Sequence, residues 1–349
     1  MMLWLLFVFI GLASLLLTGV LRWYALDQRL MDIPNARSSH IVPTPRGGGA
    51  AIVVTFLLGL IALKLAGCLP AFLFWGLFGS GAWVGLIGWG DDRRDIPAGL
   101  RLPGHFAGAI WALIWLGGLP QLPVFGVDVN LGMTGHILAV VYLVWLLNLY
   151  NFMDGINGMA GIEAITVCAG GVVLYVLSRS QADDMWTVAV LLAAATAGFL
   201  FWNFPKARIF MGDAGSGFLG LVLGVLSIKA GWAAPELFWG WIILLGAFIV
   251  DATVTLLCRA LQGEKVYEAH RSHAYQHAAQ KYGSHVPVTL TYGAINLFWL
   301  LPVAALVAAD LLCGALGVII AYIPLVVLAI LFGAGKPANE ERIKSGQSG

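Results

Sequence analysis

Charge is what this chain has least of: Asp, Glu, Lys and Arg make up 11% of its 349 residues, against 60% hydrophobic residues and a mean hydropathy of +0.88. A soluble globular domain carries about 25% charged residues, so that class is excluded and a polytopic membrane protein remains. Cysteine is scarce as well. Cys68, Cys168, Cys258 and Cys313 lie in or beside apolar runs without metal-ligand spacing, and they read as packing residues. No basic residue precedes the first apolar run, LWLLFVFIGLASLLLTGVL, and it has no small-residue cleavage site, so a removable signal peptide is not expected. The run reads as the first helix. Internal repeats are absent, which argues against a transporter built from inverted halves.

What the chain has in abundance is apolar windows long enough to cross about 30 Å of hydrocarbon as helices. Eleven are expected, at about 3–24, 47–66, 71–90, 104–118, 135–152, 158–178, 185–203, 214–232, 236–258, 288–309 and 311–333. The fold class is therefore all-α, a single transmembrane catalytic domain over 1–335 followed by a polar tail, 336–349, expected to be disordered. With eleven spans, every Lys and Arg except Lys64, Arg179 and Lys229 falls on or near one side. By the positive-inside rule that side is cytoplasmic, with the N-terminus outside and the C-terminus inside. A net charge of +1 says little about partners, and nucleic acid is not expected among them.

The same side collects the unusual polar residues, in five loops: DIPNARSSHIVPTPRGGG, GDDRRDIPAGLR, NFMDGINGMAG, NFPKARIFMGDAGSG and QGEKVYEAHRSHAYQHAAQKYGSH. Positive-inside bias alone would account only for the Lys and Arg. One-sided polarity of this kind points to a single site built from helix ends. Asp91 and Asp92 are adjacent, and neighbouring carboxylates repel unless one is protonated or a cation is recruited. Asp154 and Asp213 each stand among small residues that allow close backbone approach. Hard oxygen ligands from a few loops, completed by substrate phosphates, are how proteins hold magnesium, and manganese is an acceptable substitute. The plainer account pairs Asp91, Asp92 and Asp95 with neighbouring arginines. It weakens because three loops present Asp beside Gly.

Donors come from the fifth loop, where His270, Arg271, His273 and His277 fall within HRSHAYQH. On a helix, positions 270, 273 and 277 share a face. Zinc is disfavoured because no HExxH arrangement is present, and phosphate binding with Arg271 is preferred both to zinc and to a merely solvated basic loop. Arg37, His40 and Arg46 of the first loop are further cationic candidates. Phe210 lies three residues before Asp213, while most other aromatics read as lipid-facing or interfacial. Glu163 and Asp251 fall inside expected spans and read as buried acids hydrogen-bonded across helices, neither placed at the active site.

Taken in order, DIPNARSSH…PRGGG, GWGDDRRD, NFMDGINGMAG, NFPKARIFMGDAGSG and HRSHAYQH resemble the polyprenyl-phosphate N-acetylhexosamine-1-phosphate transferases over about residues 30 to 285. That resemblance implies transfer of a sugar-1-phosphate from a UDP-N-acetylhexosamine to undecaprenyl phosphate in the membrane lipid, with release of UMP and with magnesium as cofactor. It implies Asp213, with Asp154, as metal ligands, and Asp91, Asp92, His270, Arg271 and His273 as catalytic groups. Asn151, Asp154 and Asn157 match the third-loop set near nucleotide and metal, and Phe210 matches an aromatic that stacks on uracil. HRSH, where the MurNAc-pentapeptide enzyme has a histidine run, and Asn157, where it has Asp, argue against that substrate. They point to the branch that initiates O-antigen and surface polysaccharide on the cytoplasmic face of a bacterial inner membrane. A homodimer is common in the family. One rival is an intramembrane aspartyl protease, since Gly88, Gly90 and Asp91 satisfy a GxGD pattern, with Asp251 by default as the partner Asp at depth. A second is a nucleotide-sugar or lipid-linked sugar transporter.

Overall fold

The computed structural model describes residues 2–34, 39–94, 96–178, 186–264 and 270–336. Helices dominate. In chain order they are α1 Met2–Asp27, α2 Ala50–Leu65, α3 Ala71–Arg94, α4 Ala98–Leu116, α5 Gly132–Met153, α6 Met159–Leu177 and α7 Trp186–Asn203. There follow α8 Asp213–Ala233, α9 Pro235–Leu244, α10 Gly246–Leu261, α11 Ala274–Tyr282, α12 His285–Ile295, α13 Leu301–Ala308 and α14 Gly314–Leu331. Two antiparallel hairpins complete the described residues: β1 Met31–Asp32 with β2 Thr44–Pro45, and β3 Leu122–Val124 with β4 Val127–Val129.

Each expected window contains a helix, and among the described residues eight helical stretches, α12 to α13 counted as one, are long and apolar enough to cross a membrane, or nine if the α9–α10 pair is one span. The all-α polytopic expectation stands. Several details differ. The ninth window is two helices that meet at 64° around Leu245. The tenth begins at His285 and passes through a π-helical turn, Asn296–Leu300, before α13. The fourth starts at Ala98, so Arg101, which reads as a loop charge, is helical. Helix α2 has 16 residues, about 24 Å of rise. The tail from 337 onward lies outside the described residues.

Helix α8 is the axis of the bundle. Every residue from Ala214 to Gly231 is buried, and α3, α5 and α9 pack around it. Apolar burial cannot drive such packing in lipid, so small residues that let backbones approach must do it. A Cβ on Gly88 of α3 would lie 2.6 Å from the backbone of Ala214, and one on Gly49 would lie 2.5 Å from Gly215. These contacts fix the ends of α2 and α3 against the N-terminus of α8. The carboxylates of the second and fourth loops are thereby brought to one place.

Candidate active site

All five polar loops open onto one cavity of about 440 Å³. The first contributes Asp32, Ser39, His40 and Arg46; the second, Asp92; the third, Asn151, Asp154 and Asn157; the fourth, Asn203, Phe210, Asp213 and Ser216; the fifth, His270, Gln276 and His285. Groups separated by more than two hundred positions in the chain thus share a wall.

The junction of α3 with α8 organises the carboxylates. Asp92 accepts hydrogen bonds from the backbone N–H of Asp213 at 2.9 Å and of Ala214 at 3.2 Å, which satisfies two of the donors that a helix N-terminus leaves open. Its neighbour Asp91 turns the other way, accepting from the Ile96 N–H and from Arg101. Arg101 also donates to Asp213, so one guanidinium bridges two acids. A smaller cavity of about 290 Å³ lies here, lined by Arg46, Asp91, Asp92, Ile96, Arg101 and Asp213. Asp92 and Asp213 face both cavities; Asp91 faces only the smaller one.

The third loop is tied to the fourth. Asn203 Oδ1 accepts from the Gly158 N–H at 2.7 Å while its Nδ2 donates to the Ile209 carbonyl at 2.9 Å, and Asn157 Nδ2 donates to the Pro205 carbonyl at 3.2 Å. Asp154 sits just beyond the end of α5, in the cavity wall. Burial first, and then the negative charges of Asp213 and Asp92, push its carboxyl well above the usual carboxylate range. Three acids crowding one cavity are the donor chemistry a hard divalent cation relieves. Among the described residues no three His, Cys, Asp or Glu groups form a ready-made metal cage.

In the fifth loop, 270–273 are not helical and α11 begins only at Ala274, so His270, His273 and His277 do not share a helical face as the spacing implies. The reason is that His273 stands just before the helix with extended backbone, ψ 149°, and its N–H donates to the Gln276 side chain at 3.2 Å. His270 lines the main cavity, His273 lies behind it at 2% exposure, and Arg271 lines an outer cavity with Lys206 and Gln280. Burial first, then the charges of His273 and Arg259, hold the His270 ring down to about 3, so it is neutral at physiological pH. Histidine-resolved NMR of the ligand-free protein is therefore expected to show no titration of His270 between pH 8 and 5. A midpoint at the ordinary value would show a solvated ring.

Of the other expected residues, Phe210 meets His40 edge to face at 4.8 Å between ring centres, and both line the main cavity. Arg37 and Asp95 lie outside the described residues. Glu163 is a buried acid held across helices, accepting from Asn296 Nδ2 at 2.8 Å. Asp251 is not remote from the fifth loop, because it bonds to His273, Ala274 and Tyr275. It borders an apolar cavity rather than the one lined by Asp91, which leaves the protease reading without a shared catalytic space. Arg101, Asn203, Ser216, Gln276 and His285 join the site without having been singled out in the sequence; for Arg101 the only signal was its place in the DDRRDIPAGLR loop.

Comparison with known proteins points the same way. Residues 74–231 match the model of glycosyl transferase family 4. The chain is 31% identical over 279 residues to a probable undecaprenyl-phosphate N-acetylglucosaminyl 1-phosphate transferase of Bacillus subtilis, covering 76% of this chain and 74% of that protein. It is 29% identical over 305 residues to the decaprenyl-phosphate N-acetylglucosaminephosphotransferase of Mycolicibacterium smegmatis, covering 77% and 73%. It is 34% identical over 200 residues to a phospho-N-acetylmuramoyl-pentapeptide-transferase of Streptococcus pneumoniae, covering 53% and 59%.

Proposed function

The chain belongs to the polyprenyl-phosphate N-acetylhexosamine-1-phosphate transferase family, and from that premise we propose that it moves N-acetylhexosamine-1-phosphate from a UDP-sugar to undecaprenyl phosphate. The observation that carries this reading is the pair of cavities sharing Asp92 and Asp213 as a wall. A diphosphate donor fits the larger cavity, with Phe210 for the base and His270 and Asn157 along its length. An acceptor phosphate reaches the same wall from the smaller one, flanked by Arg46 and Arg101. An oxygen of the lipid phosphate attacks the phosphorus that bears the sugar. The bond from that phosphorus to UMP breaks, and UMP leaves with the electron pair. Phosphoryl transfer asks chiefly for alignment and charge neutralisation, so no covalent nucleophile is needed.

Asp213, Asp92 and Asp154 are the residues that would hold magnesium, which when bound supplies Lewis-acid neutralisation of the diphosphate oxygens. Arg46 and Arg101 hold phosphate oxygens, and Asp91 keeps Arg101 oriented toward the shared wall. The Lys and Arg asymmetry supports a cytoplasmic site in a bacterial inner membrane, with the N-terminus outside. HRSH and Asn157, together with the longer matches to N-acetylglucosamine enzymes than to a muramoyl-pentapeptide enzyme, support an initiating role in O-antigen or surface-polysaccharide synthesis.

Purified protein incubated with magnesium, undecaprenyl phosphate and a panel of UDP-aminosugars is expected to release UMP in step with a lipid-linked diphosphate sugar. No UMP from any donor would end the reading. Within the same assay, Phe210→Ala is expected to raise KM for the UDP-sugar about 10- to 100-fold with a smaller change in kcat, since base–aromatic stacking is worth about 1–3 kcal/mol. An unchanged KM would remove Phe210 from the base site.

A further inference from the structure

We infer that Asp251 is the positioning residue of the fifth-loop basic segment, acting on the reaction through His273; the inference rests on the transferase reading above. Asp251 lies on α10 with 3% exposure. Its Oδ1 accepts from the Ala274 N–H at 3.0 Å and from Thr255 Oγ1 at 3.2 Å, and stands 3.3 Å from His273 Nδ1. Its Oδ2 accepts from the Tyr275 N–H at 3.0 Å and from the Tyr292 hydroxyl at 2.6 Å. One carboxylate therefore fastens α10, the first turn of α11 and α12 to the loop that carries His270, Arg271 and His273.

Capping explains the bonds from the Ala274 and Tyr275 amides at the start of α11, but not the contact with the His273 ring. The histidine contact adds something that a cap does not need. A carboxylate can only accept, so the proton between the two groups sits on Nδ1 and the ring is held in one tautomer and one orientation. That leaves Nε2 as the free end. It is buried and has no hydrogen-bond partner among the described residues. A buried polar atom without a partner is costly. The His273 ring lies 4.9 Å from that of His270, which lines the main cavity, and 6.4 Å from that of Phe152, two positions before Asp154. Tyr275 closes the circuit, its hydroxyl donating to the Phe152 carbonyl at 2.9 Å. Displacing the Asp251 carboxylate would therefore shift the wall that carries His270 and Asp154 together, although Asp251 touches neither the cavity nor a substrate.

The test is a cycle of Asp251→Asn, His273→Gln and the double variant, in the full-length protein and with whichever UDP-sugar the wild type uses. Asp251→Asn is expected to lower kcat about 10- to 100-fold, the range for a residue that orients a functional histidine from behind, with KM for the UDP-sugar changed less than about threefold. Added to His273→Gln, it should cost less than about threefold more, because the two act as one unit. Equal losses in both backgrounds would make Asp251 a fold anchor and overturn the inference. Where Asp251→Asn does not accumulate in the membrane, Asp251→Glu, which keeps the charge but displaces it, takes its place in the cycle. Histidine-selective nitrogen-15 NMR supplies a readout independent of turnover. The wild type should show one ring protonated at Nδ1 that is lost in both single variants. Persistence of that signal in Asp251→Asn would also overturn the inference, whereas the expected signals in a protein that releases no UMP would leave the dyad standing and sink the transferase reading instead.

Discussion

Asp213→Asn is expected to lower UMP release on the order of 10³-fold without lowering the melting temperature. The loss follows from position. Asp213 is the first residue of α8 and one of two carboxylates that face both cavities, so every charge brought into either cavity meets it. Asparagine keeps the shape but removes the charge that a divalent cation needs. Stability should hold because Arg101, the cation bound to Asp213, keeps its second partner, Asp91. Taking one negative charge from beside Asp92 and Asp154 also relieves repulsion, the usual relation between a strained site and its scaffold. The measurement is UMP release over a magnesium series, beside thermal unfolding in detergent. Half-saturation should move to higher magnesium. Near-normal turnover at low magnesium would place the cation elsewhere, and a lower melting temperature would make Asp213 structural.

The convergence of the five loops was legible in the sequence because an apolar chain exposes its exceptions. Asp91, Asp92, Asn151, Asp154, Phe210, Asp213 and His270 interrupt membrane-length runs at alternate ends, and all of them line one of the two adjoining cavities. What stayed hidden was the direction in which side chains point. Asp91 and Asp92 are neighbours in sequence, yet a 100° step around α3 sends one to Arg101 and the other to the α8 amides. The 3 and 4 spacing of His270, His273 and His277 imitates a helix, but a capping residue imposes extended backbone at His273 and breaks the pattern. Arg101 was disguised as one more positive charge on the basic side. Asp251 was disguised as an ordinary membrane-buried acid, since a hydrogen bond to residues more than twenty positions away leaves no periodic trace. The bend at Leu245 has no proline beside it, and its one local signal, Gly246, does not stand out in a chain with 44 glycines.

Gly212→Ala should be nearly as damaging as loss of the carboxylate itself, by a different route. Gly212 precedes α8 with φ of 75° and ψ of 176°, a conformation essentially confined to glycine. Its carbonyl accepts from the Gly215 N–H at 3.2 Å and the Ser216 N–H at 3.1 Å, so this conformation launches the helix. A Cβ here would stand 2.4 Å from Asp92 Oδ1 and 2.5 Å from Oδ2. Alanine would thus add about 1–3 kcal/mol of backbone strain and drive Asp92 off the α8 amides. Displacing a reacting-site group by about 1 Å can cost on the order of 10²-fold, so turnover should fall at least that far while the melting temperature drops by several degrees. Gly99→Ala serves as the control, since its Cβ would meet nothing within 4 Å, and it should be silent. Both observables move together for Gly212→Ala, whereas Asp213→Asn moves turnover alone. That contrast separates the groups that do chemistry from the backbone that aims them. Wild-type activity in Gly212→Ala would mean that Asp92 does not need the α8 amides, and the shared wall would lose its geometric basis.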